Sequence, residues 1–117
     1  MADIDRNDKI YQGLLYDFYG ELLNEHRRTI MEDYLFSDFS ESEIAQDQQI
    51  SRQAAHDLIH RSVKALEEYE RKLGLLEKFL AAKRKLGMIH DIASQENVSQ
   101  AELDRISQIA KDIEDSF

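Results

Sequence analysis

Two serines eleven residues apart, Ser40 and Ser51, constrain this chain more than any other feature in it. Ser40 stands three residues before Glu43, with Phe39 and Ile44 flanking the pair. That is a capping box with a hydrophobic staple, in which hydroxyl and carboxylate satisfy backbone N–H groups that a helix start leaves unpaired. Ser51, preceded by Ile50, opens a second run. Between the two starts there is room for a short helix, ending near Ala45 or Asp47, and a sharp turn at Gln48 and Gln49. Two coupled starts of this kind predict a helix-turn-helix. Its inward set is Ile44, Ala45, Ile50, Ala55 and Ile59, and the small Ala45 and Ala55 permit a close helix crossing. Its outward set is Ser51, Arg52, Gln53, His56, Asp57 and His60, with Arg61 nearby.

The rest of the chain reads as helix as well. Ile10, Leu14, Leu15, Phe18, Leu22 and Leu23 recur at spacings of three and four, which predicts a helix over 8–23, weakened by Gly13 and Gly20. Asn24 caps a second helix with Ile30, Tyr34 and Leu35 on its inner side. With no proline in the sequence, the helix that starts after Ser51 is expected to run to about Leu86, roughly 50 Å at 1.5 Å per residue. Ile59, Leu66, Leu73 and Leu80 lie seven apart along it, a stripe that asks for a helical partner, with Gly74 as its weak point. Val98, Ser99, Glu102 and Leu103 repeat the staple-and-box order. They predict a last helix over 100–113 with Leu103, Ile106, Ala110 and Ile113 on one face, after a shorter helix or turn in MIHDIASQEN. No segment alternates as a strand does.

The fold class is therefore all-α: a helix-turn-helix domain over 1–66, then the long-helix continuation and a C-terminal helical arm over 67–117. The stripe and the tail exceed what one small core hides, so a homodimer is expected, with 67–117 as its pairing region.

Charge divides the chain. The total is −9, yet residues 51–90 hold nine Lys/Arg against five Asp/Glu, while residues 1–50 hold four against twelve. The basic balance begins where the second helix of the motif begins. A local basic patch binds phosphate inside an acidic whole, although the surrounding field weakens long-range attraction. Arg and Gln suit guanine and adenine edges, and Ser and His reach phosphate. The nucleic-acid-binding candidates are Ser51, Arg52, Gln53, His56, His60, Arg61 and Lys64, with Arg52, Gln53 and His56 probing bases and Arg61 and Lys64 on the backbone. The same residues also suit a plain solvated face after a cap.

Other chemistries find little. There is no cysteine, which excludes disulfides and thiolate metal sites and suits a reducing cytoplasm. The acidic N-terminus MADIDRNDKI lacks the order of a signal peptide, and no apolar run reaches about 18 residues, so no membrane insertion is expected. His56 and His60 have metal-clamp spacing but no third ligand at motif distance, and the four glycines form no phosphate loop. Asp17 with Glu21, and Glu67 with Arg71, read as surface charge pairs. The KRK triplet at 83–85 reads as solvated support for a helix end. Tyr11, Phe18 and Tyr34 read as core. The expectation is a protein that is not an enzyme and holds no cofactor and no metal.

Three stretches, LLYDFYGELL, FSESEIAQDQQISRQAAHDLIHRS and LEEYERKLGL, resemble the YlxM family of bacterial helix-turn-helix proteins, related in pattern to region 4 of sigma factors. SRQA at 51–54 and LEEYE at 66–70 are the most specific pieces. The family pattern has an apolar residue and then Gly where Gln48 and Gln49 stand here, and Val is common at Ala55. Gln49 is thus expected to bear a left-handed conformation that Gly takes at less cost, over a thinner motif core. The resemblance implies a regulator whose gene neighbours those of the signal recognition particle and its receptor. The target is left open between double-stranded DNA, the particle's RNA and its GTPase protein.

Overall fold

The computed structural model describes residues 8–117; the acidic stretch 1–7 lies outside the described residues. The described chain is helical throughout, without strands. Its elements are α1 (Lys9–Tyr19), a 3-10 turn (Gly20–Leu22), α2 (Glu25–Leu35), α3 (Glu41–Gln48), α4 (Arg52–Leu73), α5 (Leu75–Ala93) and α6 (Gln100–Asp115).

The side-chain caps fall where the local chemistry puts them. Asn24 accepts from Arg27 N–H and Ser51 from Ala54 N–H, at 2.8 and 3.0 Å. Ser40 with Glu43 and Ser99 with Glu102 each close both halves of a capping box. Asp8 caps α1 by accepting from Ile10 N–H. That helix stops at Tyr19, not at Leu23, and tightens into the 3-10 turn. At Gly20 a Cβ would come within 2.7 Å of the Tyr16 ring, which would have to move to admit it.

Contacts divide the chain into two compact units, one up to Gly74 and one from Leu75 to Phe117. In the first, α1, α2 and α3 all pack on α4 or on one another. Leu15, Ile30, Met31, Ile44, Ala55 and Leu66 are completely or almost completely buried. Tyr19 is buried too, and its hydroxyl donates to Glu70 Oε1 at 2.5 Å, the polar outlet that a buried tyrosine needs. Phe18, expected inside, is more than a third exposed, while Tyr34 lies half-buried beneath the Lys9 ammonium at 4.1 Å. In the second unit α5 and α6 pack against each other across a six-residue connection, a helical hairpin. There Leu76 and Ile109 are the buried apolar residues among those described.

The expected 52–86 helix is corrected at both ends of its second half. Gly74 takes the left-handed conformation (φ 64°, ψ 20°) and caps α4, so the seven-residue stripe is cut between Leu73 and Leu75. Gly87, expected to stop the helix, is passed through, and α5 continues to Ala93. The cost of a helical glycine, about 1 kcal/mol, is small enough for context to decide each case. The inner face of α6 is also shifted: Ile109 is buried and Ile106 and Ile113 half-buried, while Leu103 and Ala110 are exposed. Arg71 pairs with Glu68 at 2.6 Å, not with Glu67, and this guanidinium holds the Glu68 carboxyl below its usual range. No described helix is long and apolar enough to cross a membrane.

Candidate nucleic-acid interface

The interface starts at one left-handed residue. Gln49 has φ 56° and ψ 44°. Its N–H donates to Gln46 O at 3.3 Å and the Ile50 N–H to Ala45 O at 3.0 Å. This pair of reversed bonds, with Ile50 facing Ala45, is the Schellman ending of a helix. It satisfies the last carbonyls of α3 and turns the chain so that Ser51 caps α4 two residues later. The expected turn at Gln48–Gln49 is thus present, with glutamine bearing a conformation that costs an L-residue about 1–2 kcal/mol. Buried Ile44, Ala45, Ala55 and Ile59 hold the crossing. Ile50 is half-buried at its mouth.

The outward side chains are not equivalent. The Ser51 hydroxyl oxygen is engaged as the α4 cap. Gln53 Nε2 donates to Asp57 Oδ1 at 3.0 Å. His56 Nδ1 lies 2.7 Å from Glu41 Oε2 at the start of α3, and its ring lies against that of His60, tilted by 41° with centroids 4.3 Å apart. Arg52, Arg61 and Lys64 are exposed and make no ion pair among the described residues. At 3.6 residues per turn, Gln53, His60 and Lys64 share one stripe of α4. Arg52 and His56 flank it on the α3 side. Arg61 lies about half a turn round the helix from Arg52, on the far flank.

Acidic groups frame this surface. Burial, then the carboxylates of Asp47 and Glu32, push the Asp33 carboxyl above its usual range. Glu41, Glu43 and Asp47 put three carboxylates on α3, while Arg52, Arg61 and Lys64 are exposed cations on α4. Reading the sequence alone missed the Glu41–His56 pair. Its signal was there: Glu41 opens α3, and a helix-turn-helix lays that end across the second turn of α4. No group of three or more His, Asp or Glu side chains able to hold a metal occurs among the described residues.

The profile of a family described as "Putative helix-turn-helix protein, YlxM / p13 like" matches residues 6–113. A UPF0122 protein of Geobacillus sp. is 44% identical over 81 residues, covering 69% of this chain and 74% of the relative. One of Acetivibrio thermocellus is 46% identical over 89 residues, covering 74% and 76%. One of Thermoanaerobacter sp. is 37% identical over 112 residues, covering 93% and 96%. The turn at Gln49, the capped α3–α4 crossing and these similarities agree: the chain belongs to the UPF0122 family of YlxM/p13-like helix-turn-helix proteins.

Proposed function

We propose that this protein is a non-enzymatic cytoplasmic regulator that binds double-stranded DNA as a homodimer, with α4 in the major groove. The reading rests on one observation. Arg52, Arg61 and Lys64 project from α4 without ion pairs among the described residues, just after a helix-turn-helix crossing. Arg52, in the first turn, reads a base edge, most naturally guanine through a bidentate contact. Lys64 and Arg61 meet backbone phosphates. His60 borders the groove. Ser51 is a cap first and a phosphate contact second. Gln53 and His56 reach bases only by releasing Asp57 and Glu41. In a dimer the two α4 helices meet successive major grooves about 34 Å apart. The resemblance to the YlxM family supports a regulatory part in the signal recognition particle pathway.

A titration of duplexes from the region around the chain's own gene tests this. Two phosphate-facing cations per protomer predict a log–log salt slope of about −2 per protomer. Arg52→Ala is expected to weaken binding by about 1–3 kcal/mol and to relax preference at one position. Absent binding, or binding indifferent to salt and to Arg52, overturns the reading.

The carboxylates favour a second reading. Asp33 and Asp47 on the α2–α3 side, with Gln53 and His56 already tied to acids, suit a module that docks on the particle's protein and does not read DNA; the particle's RNA would be met by the α4 cations instead. Co-purification of the purified chain with either component at physiological salt, unaffected by Arg52→Ala, supports it; recovery of neither component removes it.

A further inference from the structure

The α5–α6 hairpin has two unlike sides. Ile106, Ile109 and Ile113 on α6 turn towards α5, where Met88 and Ile92 line the same cleft as Glu102 and Arg105. With that seam fixed, helical periodicity and the antiparallel course put Ala82, Leu86, Ile89 and Ala93 of α5 beside Leu103 and Ala110 of α6 on one broad face. The opposite face carries Glu77, Arg84 and Asp91 of α5 with Gln108 and Asp112 of α6. Leu86 and Leu103, on the first face, are 54% and 48% exposed. Two adjacent helices thus present a continuous apolar surface within this unit.

Its charge is divided across its width. The α5 segment holds four Lys/Arg against two Asp/Glu, and α6 holds two against five. Lys83 stands on the outer edge of α5, and Asp104 and Glu114 on the outer edge of α6. A partner that covers this face must be apolar at its centre, acidic over α5 and basic over α6. The hairpin itself has that pattern, turned through a two-fold axis parallel to its helices.

We propose that the α5–α6 face binds a second copy of this chain, α5 of each lying antiparallel on α6 of the other to form a four-helix bundle. The alternative two-fold, across the helices, would set basic α5 on basic α5 and is disfavoured by like charge. In the favoured arrangement Lys83 sits at about the level of Glu114 of the second copy, and the contact occurs twice by symmetry. The helices that carry the face overlap for about 24 Å and are about 20 Å wide together, about 500 Å² in projection, more than half of the roughly 800 Å² per partner of a standard interface. This inference deepens the homodimer in the function proposed above by naming its surface, and its test needs no nucleic acid.

The test is sedimentation equilibrium of the full chain, with circular dichroism to confirm helix content. The wild type is expected to dimerise. Leu86→Glu is expected to raise the dimer dissociation constant by about 100-fold or more. Lys83→Glu and Glu114→Lys, both at the exposed rim, are each expected to raise it by about tenfold, and the double reversal to restore it to within about threefold. A monomeric wild type overturns both the interface and the homodimer. A dimer unmoved by Leu86→Glu, or a charge pair without restoration, overturns this interface alone. Salt-dependent DNA binding by the monomeric Leu86→Glu variant keeps the groove-reading role separate from either result.

Discussion

The two units differ in how they spend their apolar residues. In the first, four helices converge on a core in which residues from every helix are almost completely inaccessible. In the second, two helices share a single seam, and large side chains such as Leu86 and Leu103 remain half open. One unit satisfies its hydrophobic pattern internally. The other has, besides the seam its two helices bury in each other, an apolar face that a two-helix layer cannot cover. The contrast is the ground for the division proposed above, groove contact from α4 of the closed unit and pairing through the open one.

Four substitutions test that contrast, beginning with the largest expected effect and its small counterpart. Leu66→Ala removes a fully buried side chain where α4 crosses the core. It is expected to cost about 2–5 kcal/mol in urea unfolding. Leu103→Ala, measured at a concentration where the chain is monomeric, should cost well under about 1 kcal/mol. Equal losses would break the distinction between the units. Ser51→Ala removes the α4 cap and is expected to cost about 1 kcal/mol, with or without a ligand present. Unchanged stability would return Ser51 to the list of groups free to meet phosphate. Gln49→Gly is expected to stabilise by about 0.5–1 kcal/mol, because glycine takes the left-handed turn without a Cβ penalty. A destabilisation would mean that the glutamine side chain makes a contact that outweighs its backbone strain.

The smallest effect concerns pH. Burial and neighbouring carboxylates raise the Asp33 carboxyl in the folded chain. The folded state then holds its proton to higher pH than the unfolded state does. Stability is therefore lost as pH rises through that window, and the penalty stays in full above it. Asp33→Asn is expected to raise the urea midpoint slightly at neutral pH, with the gain disappearing below about pH 4, where the unfolded carboxyl is also protonated. A gain that persisted in acid would point to packing in place of charge.

Much of this was legible in the sequence, for a local reason. Ser40, Ser51, Asn24 and Ser99 cap helices through bonds spanning three residues, so their chemistry is written in adjacent letters. The inward Ile44, Ala45, Ala55 and Ile59 follow from the same periodicity. What failed was decided at longer range. Gly74 breaks a helix and Gly87 does not, although both are lone glycines in helical sequence and the propensity cost is alike. The α6 face was read one position off because Leu103 looked as apolar as Ile109, and only the position of α5 distinguishes them. At the candidate interface the residue types were legible but their commitments were not. Ser51, Gln53 and His56 all have partners within the fold, and the carboxylate facing His56 comes from fifteen residues away.

The measurement that bears most directly on the central claim is hydrogen exchange across the whole chain, with and without a bound duplex. The account predicts added protection confined to the turn at Gln49 and the first turns of α4, with the α5–α6 hairpin unchanged. Protection restricted to α5 and α6, or none anywhere at saturating duplex, would contradict it.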